Sequence, residues 1–373
     1  MVGSTFSVNS GRTSQNTFCN SAQKTNSAGK GPGSFATAFR AGYHQAMLKI
    51  GLPANIAEDF LHDFPTDNVE LVRLSEALDH EVEVDFWIPP MFGWLATPMF
   101  PYLRGVKVIQ CLLAGVDWIL PWLPEGIILC DGQGLHNIPV AEWILTAILG
   151  TLWRFPEYRD RQHEQFWDGQ VRPQGTGQTQ PARDDSKASV HSYRILADEL
   201  HGKKVLIVGY GGIGAEVERL LRVFDVEVVR VARTAKPGVS AIGDLAGLLP
   251  EADVVVLLVP LTNATRGLMN ADMLARMKPG ALLVNAARGP VVDASALLQQ
   301  LQARRIHAVL DVTDPEPLPK GHPLWSAPNC FITPHIAGSV AGFSIRGYKF
   351  AAEQVRHYMA GEPLRNQVNE AGY

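Results

Sequence analysis

At 373 residues and 46% hydrophobic composition, the chain is long enough for two domains with sizeable cores. Its formal net charge of −4 shows no basic excess, so neither nucleic acid nor an anionic membrane surface is an expected partner. No apolar run reaches the roughly 18 residues that a membrane-spanning helix needs. Cys19, Cys111, Cys130 and Cys330 are scattered, with no zinc-type spacing and no disulfide framework, so no metal and a cytoplasmic location are expected.

Residues 1–46 are rich in Ser, Asn, Gly and Thr and hold four Lys/Arg but no acid; the first acid of the chain is Glu58. Such a segment buries too little apolar surface to offset its ordering entropy and is expected to be disordered. Two accounts fit it: an organelle transit peptide, or upstream sequence translated from a start codon assigned too early. The second is preferred, because Met47 opens "MLKIGL", which reads as the first strand of an α/β domain.

From Met47 to Glu142 short apolar runs alternate with helix-like segments: "MLKIGL", "VELVRL", "EVDFWI", "VKVIQCLLAGV" and "GIILC". Runs of this kind are expected as parallel strands buried on both faces. A helix is expected over 138–155, "IPVAEWILTAILGTLWRF", apolar nearly all round and therefore buried between domains or subunits. The polar stretch 169–192 reads as a long surface loop or insertion.

A second βαβ series follows. "KKVLIVGYG" is a strand, and "GIGAEVERLLRVF" a helix with Ile213, Val217, Leu220, Leu221 and Phe224 on one stripe. "VEVVRVA", "ADVVVLLVP", "GALLVNAAR", "RIHAVLDV" and "CFITPH" are the further strands of a doubly wound sheet. Between the first strand and helix, Gly209, Gly211 and Gly214 form G-x-G-x-x-G. In that context the glycines serve a tight turn and a close backbone approach to a pyrophosphate. The helix-opening N–H groups around Gly212 and Ile213 then face the phosphates.

Three later stretches, "VNAARGPVVD", "LDVTDPEPLP" and "NCFITPHIAG", carry an arginine, an acid and a histidine in order. With "LAGVDWI", "HNIPVAEW" and "VPLTNATRG", they make the chain resemble the D-isomer-specific 2-hydroxyacid dehydrogenases from about Met47 to Asn369. The resemblance implies a Rossmann nucleotide-binding domain (143–338) inserted into a flavodoxin-like substrate domain (47–142 plus 339–373). It also implies a catalytic set of Arg288, Glu316 and His335. Chemistry agrees: reducing a 2-keto acid needs a hydride at carbon and a proton at oxygen. Histidine is the natural donor near neutrality, a carboxylate beside it favours the imidazolium, and a guanidinium grips a carboxylate with two hydrogen bonds.

The resemblance further places Ala114 and Gly115 on the substrate carboxylate, through their backbone, and Pro260, Thr262, Ala287, Asp311 and His335 beside the cofactor. "FWIPPMFGW" (86–94) lies where the family has a substrate-facing loop; its aromatics either shape the pocket or pack inward. His322 is read as structural. The helix near 140–153 packs across a two-fold interface in relatives, so a homodimer is expected.

At the end of "VEVVRVA", NAD-specific sites carry an acid that bonds the ribose 2′-hydroxyl. This chain has Arg233, Thr234, Ala235 and Lys236 there and no carboxylate. Arg233 and Thr234 suit a 2′-phosphate, so NADP(H) is the expected cofactor, with NAD(H) use as the alternative. The leading expectation is an NADP-dependent reductase of glyoxylate or hydroxypyruvate type. A formate oxidiser would carry glutamine in place of Glu316. The alternatives left open are a phosphite dehydrogenase-like enzyme and a nucleotide-sensing corepressor-like binding module on the same scaffold.

Overall fold

Runs of Val, Ile and Leu pair side by side into parallel sheets in a computed structural model, which describes residues 47–91, 93–165 and 197–368. The expectations for residues 1–46 and for the loop at 169–192 lie outside the described residues, as does Phe92. The early strands are β1 (Leu48–Pro53), β2 (Val69–Leu74), β3 (Val82–Glu83), β4 (Phe86–Trp87), β5 (Leu103–Arg104), β6 (Val108–Gln110) and β7 (Ile128–Cys130). The later ones are β8 (Lys204–Val208), β9 (Glu227–Ala232), β10 (Ser240–Ala241), β11 (Val254–Leu257), β12 (Leu282–Asn285), β13 (His307–Leu310) and β14 (Cys330–Ile332). The helices are α1 (Gly93–Ala96), α2 (Asn137–Leu152), α3 (Phe155–His163), α4 (Gly212–Leu221), α5 (Leu245–Leu248), α6 (Ala271–Arg276), α7 (Ala294–Gln302) and α8 (Phe343–Ala360).

The first sheet has the order β2-β1-β4-β6-β7, the flavodoxin-like arrangement, and the second β10-β9-β8-β11-β12-β13-β14, the Rossmann arrangement extended by one strand. All their strand pairs are parallel. Every residue of β11 and of β12 is buried, as expected for strands covered on both faces. Each buried Val or Leu side chain there contributes about 1.5–3 kcal/mol of apolar transfer.

The chain crosses between the sheets twice. α2 carries it onto the second sheet, where Val140, Ala141, Ile144 and Ile148 pack with Val205, Ile207 and Val217. After β14 it returns, and α8 packs Phe343, Tyr348, Ala351 and Val355 against Ile50, Phe86 and Val108. The two crossings touch. The His136 ring stacks on Phe343 at 4.2 Å between centroids and covers Gly338, where an added Cβ would lie 2.5 Å from the ring.

One expected helix is shorter than its apolar run. α2 ends at Leu152, Arg154 takes a left-handed φ of 60°, and α3 leaves at 64°. Pro156 is the physical reason, because in a continuing helix its ring would clash with the Leu152 carbonyl. No single helix among the described residues is long and apolar enough to cross a membrane. Burial is also one-sided: Ile138, Trp153, Phe155 and Tyr158 are exposed.

Candidate active site

The glycine loop sits at the carboxyl end of β8, where the strand order of the second sheet reverses, the usual ligand position in such sheets. Gly209 has φ +105°, and a Cβ there would lie 2.5 Å from the Leu258 carbonyl carbon, so only glycine lets the loop pass β11 this closely. Gly211 caps α4 without a side-chain partner, and Gly211 and Gly212 are exposed. The first N–H groups of α4, through Gly212, Ile213 and Gly214, have no partner inside the helix. This open cradle of backbone donors at a helix start fits a dinucleotide pyrophosphate.

β9 ends at Ala232, and Arg233 and Thr234 follow it, both exposed. Arg233 makes no hydrogen bond or ion pair among the described residues. Their turn is closed by paired backbone bonds of 2.9 Å between Lys236 and Val239. Pro260 and Thr262, also exposed, follow β11 in a turn that Thr265 ties to the Pro260 carbonyl at 2.6 Å.

The Arg, Glu and His motifs come together. His335 Nδ1 lies 2.6 Å from Glu316 Oε1, with both side chains part-exposed. Burial opposes the Glu316 charge, but the His335 hydrogen bond and the nearby positive groups, Arg288 among them, hold its pKa below the ordinary value. Arg288 follows β12 and is aimed by Asn285, which is buried and brackets the turn through Ala287 N (3.1 Å) and Arg288 O (3.1 Å). The Ala287 side chain is buried, so only its backbone can face a ligand.

The guanidinium reaches the first sheet's substrate loop. Its Nη2 lies 1.5 Å from where a Cβ on Gly115 would be, so the absent side chain is what admits it. Ala114 and Gly115 N–H groups have no acceptor among the described residues. Backbone donors and a fixed positive charge thus converge at one place.

Asp311, 3% exposed, accepts from Thr333 Oγ1 (2.6 Å), Ile336 N (2.8 Å) and Ala337 N (2.9 Å), while its carbonyl accepts from His335 N (2.7 Å). Its carboxylate thus braces the residues on both sides of His335, and a nicotinamide would meet only its remaining lone pair. His322 caps a short turn by accepting from Leu324 N at 3.3 Å, the structural role expected of it. Of the 86–94 aromatics, Phe86 and Trp87 pack fully inward. A cavity of about 480 Å³ lined by Phe100, Arg104, Pro124 and Ile127 holds none of the site residues. No cluster of metal-binding side chains occurs among the described residues.

Three further residues near the site acquire partners only in the fold. Asp117 pairs with Arg288 at 3.3 Å across the two sheets. Burial, with the charges of Arg346 and His335, pushes the His136 pKa down to about 4. Glu218, buried, binds both Arg230 and Tyr210. Asp117 and His136 lie inside the stretches "LAGVDWI" and "HNIPVAEW", and Glu218 is an acid beside the apolar stripe of α4, but no local pattern singled these three out.

Residues 145–337 match the family model described as "D-isomer specific 2-hydroxyacid dehydrogenase, NAD binding domain". A glyoxylate reductase from Thermofilum pendens is 32% identical over 277 residues, 71% of this chain and 76% of that one. A glyoxylate/hydroxypyruvate reductase B from Escherichia fergusonii is 35% identical over 237 residues, 62% and 67% of the two chains. The crystal structure of a D-isomer specific 2-hydroxyacid dehydrogenase from Xanthobacter autotrophicus, in complex with NADPH and MES, superposes with a TM-score of 0.67 at 28% identity. It covers 88% of this chain and 100% of that one. With its flavodoxin-like and Rossmann sheets and a histidine–carboxylate pair facing an arginine, the chain belongs to the D-isomer-specific 2-hydroxyacid dehydrogenase family. It is an NAD(P)-dependent oxidoreductase.

Proposed function

We propose that this enzyme is an NADP(H)-dependent reductase of small 2-keto acids, of the glyoxylate or hydroxypyruvate type. The observation that carries the reading is the junction of Arg288 with Gly115 beside the Glu316–His335 pair. The substrate carboxylate binds the Ala114 and Gly115 N–H groups and Arg288. His335 gives its proton to the carbonyl oxygen, and Glu316 holds the imidazole in place and favours its charged form. Gly209, Gly211, Gly212, Ile213 and Gly214 hold the pyrophosphate, and Pro260, Thr262, Ala287 and Asp311 line the cofactor cleft. The bound cofactor supplies the hydride. Arg233, with Thr234, meets the 2′-phosphate through charge-assisted hydrogen bonds.

In this reading residues 47–142 and 339–373 form the substrate domain and 143–338 the nucleotide domain. The protein works as a cytoplasmic homodimer, the exposed Ile138, Trp153, Phe155 and Tyr158 being its covered face. The test is a panel of 2-keto acids, glyoxylate and hydroxypyruvate included, assayed with NADPH and with NADH. Turnover of at least one with NADPH preferred supports the proposal. No turnover of any, or equal use of both cofactors, sinks it, and binding without turnover returns the corepressor-like alternative.

A further inference from the structure

A charge cluster centred on the buried Glu218 joins α4, the glycine loop and the turn after β9. Glu218, on α4, has a side chain only 5% exposed. It accepts two bonds from Arg230 of β9, from Nε at 2.6 Å and Nη2 at 2.5 Å, in a bidentate pair. It also accepts from the hydroxyl of Tyr210 at 2.6 Å. Tyr210 is the second residue of the glycine fingerprint, and its own N–H donates to Val231 O of β9 at 3.0 Å. The Arg230 guanidinium lies 5.7 Å from the centre of the Tyr210 ring. Its Nη1 reaches the Gly238 carbonyl at 3.4 Å, on the turn that carries Arg233, Thr234 and Lys236.

One arginine therefore touches three elements: α4, the glycine loop and the turn after β9. Burying the Glu218 carboxylate is costly even with a part-exposed arginine beside it, since an apolar pair of the same bulk is often as stable or more so. What the ion pair adds is direction. The planar guanidinium, fixed by two hydrogen bonds to Glu218, lies against the Tyr210 ring on one side and reaches the Gly238 carbonyl with Nη1. Arg230 is held by Glu218, which Arg222 also reaches at 3.4 Å, so the group left to meet a ligand anion is Arg233, unpaired among the described residues.

We propose that Glu218, acting through Arg230 and Tyr210, is a positioning residue for NADP(H) selectivity. It locks the 233–239 turn to the glycine loop, so that Arg233 and Thr234 are presented at the 2′-phosphate while the backbone donors of α4 hold the pyrophosphate. The inference rests on the NADP(H) reading above. It extends that reading from the residues that touch the phosphate to the group that sets their geometry.

The experiment measures the dissociation constants of NADPH and NADH by isothermal titration calorimetry, on the wild type, Glu218→Gln and Tyr210→Phe, with KM and kcat alongside. Glu218→Gln keeps the shape and removes the charge. It is expected to weaken NADPH about tenfold or more, the scale of one charged hydrogen bond, and NADH by less than about threefold, with the loss in KM for NADPH rather than in kcat. Tyr210→Phe keeps the ring and shifts the ratio the same way by less. A folded Glu218→Gln protein with the wild-type NADPH-to-NADH ratio overturns the inference. If that variant does not fold, Glu218→Leu/Arg230→Met removes both charges at similar bulk; a wild-type preference in the double variant overturns it equally. A wild type that binds both cofactors alike defeats the NADP(H) reading itself, whereas a wild-type preference untouched by these changes defeats the clamp alone.

Discussion

His335 Nδ1 and Glu316 Oε1 stand 2.6 Å apart although each comes from a separate loop, one after β13 and one after β14. Asp311 holds the histidine side of that meeting through His335 N and the N–H groups of Ile336 and Ala337. His335→Ala is expected to lower kcat by about a hundredfold or more, the usual scale for losing a proton donor. NADPH affinity should change only a few-fold, because the imidazole is not a phosphate ligand. Retained kcat would remove His335 from the chemistry. In the proposed mechanism the Glu316 carboxylate, held below its ordinary pKa by the His335 hydrogen bond, is the charge that steadies the proton donor. Reduction consumes the histidine proton, so Glu316→Gln should lose rate at lower pH than the wild type as pH rises. An unshifted high-pH limb would show that Glu316 does not act through His335.

Arg233 is exposed and unpaired among the described residues, so truncating it leaves no buried partner behind. Arg233→Ala is expected to cut the NADPH-over-NADH ratio of kcat/KM by about tenfold to a hundredfold. Because the contact lies near solvent, raising the salt should narrow the wild-type preference as well. A variant that still discriminates would place 2′-phosphate recognition elsewhere.

Two glycines should fail in different ways. A Cβ on Gly115 would meet the end of the flexible Arg288 side chain at 1.5 Å, whereas one on Gly209 would meet Leu258 backbone at 2.5 Å with φ at +105°. Gly115→Ala is therefore expected to fold with a near-normal melting temperature and lose about a hundredfold in kcat/KM for the keto acid, as the guanidinium is pushed aside. Gly209→Ala is expected to lower the melting temperature and NADPH affinity together. Thermal melts and keto-acid kinetics of the two variants side by side check this contrast.

The exposed Trp153 and Phe155 lie at the sharp bend between α2 and α3. Trp153→Lys/Phe155→Lys is expected to convert a dimer to a monomer, read by multi-angle light scattering at micromolar concentration. A wild type that is already monomeric would refute the dimer.

Asp131, 6% exposed at the carboxyl end of β7, is a stability cost at neutral pH. Burial pushes its pKa up from 3.8 to about 6, against one hydrogen bond from Gln133 N at 2.8 Å. The unfolded chain releases this proton near its ordinary value, while the folded chain keeps it until about 6. Stability is thus lost as pH rises through that window, by at most about 3 kcal/mol. Asp131→Asn, whose amide oxygen still accepts from Gln133, should match the wild type near pH ~4 and melt higher at pH ~8. Equal melting temperatures at both values would show that the carboxylate is not paying this desolvation.

Most of the strands were readable because burial on both faces demands unbroken Val, Ile and Leu, and that demand is local; of the helices, α2 and α4 were readable from their apolar patterns. The glycine fingerprint was readable for the same reason: a tight turn that a ligand must approach closely needs glycine whatever surrounds it. Arg288, Glu316 and His335 were found through short motifs, each beyond the end of a strand. The helix expected over 138–155 is present as α2 but ends at Leu152, because its apolar pattern runs on past the break that Pro156 imposes.

What the chain alone determined, then, was the alternation of elements, the glycine loop and the three side chains proposed to carry the chemistry, all of which follow from residue types at neighbouring positions. The tertiary structure alone decided which distant groups meet. Asp117 faces Arg288 from 171 positions away. Glu218 sits under Tyr210 and Arg230 although, along α4, it reads as one more solvated acid. His136 comes to rest on Gly338 and Phe343 only because the chain crosses twice between the two sheets. Such pairings cost chain entropy in proportion to the loops they close, and they are stabilised by burial that exists only once the sheets have formed. No local pattern in the sequence therefore has to record them.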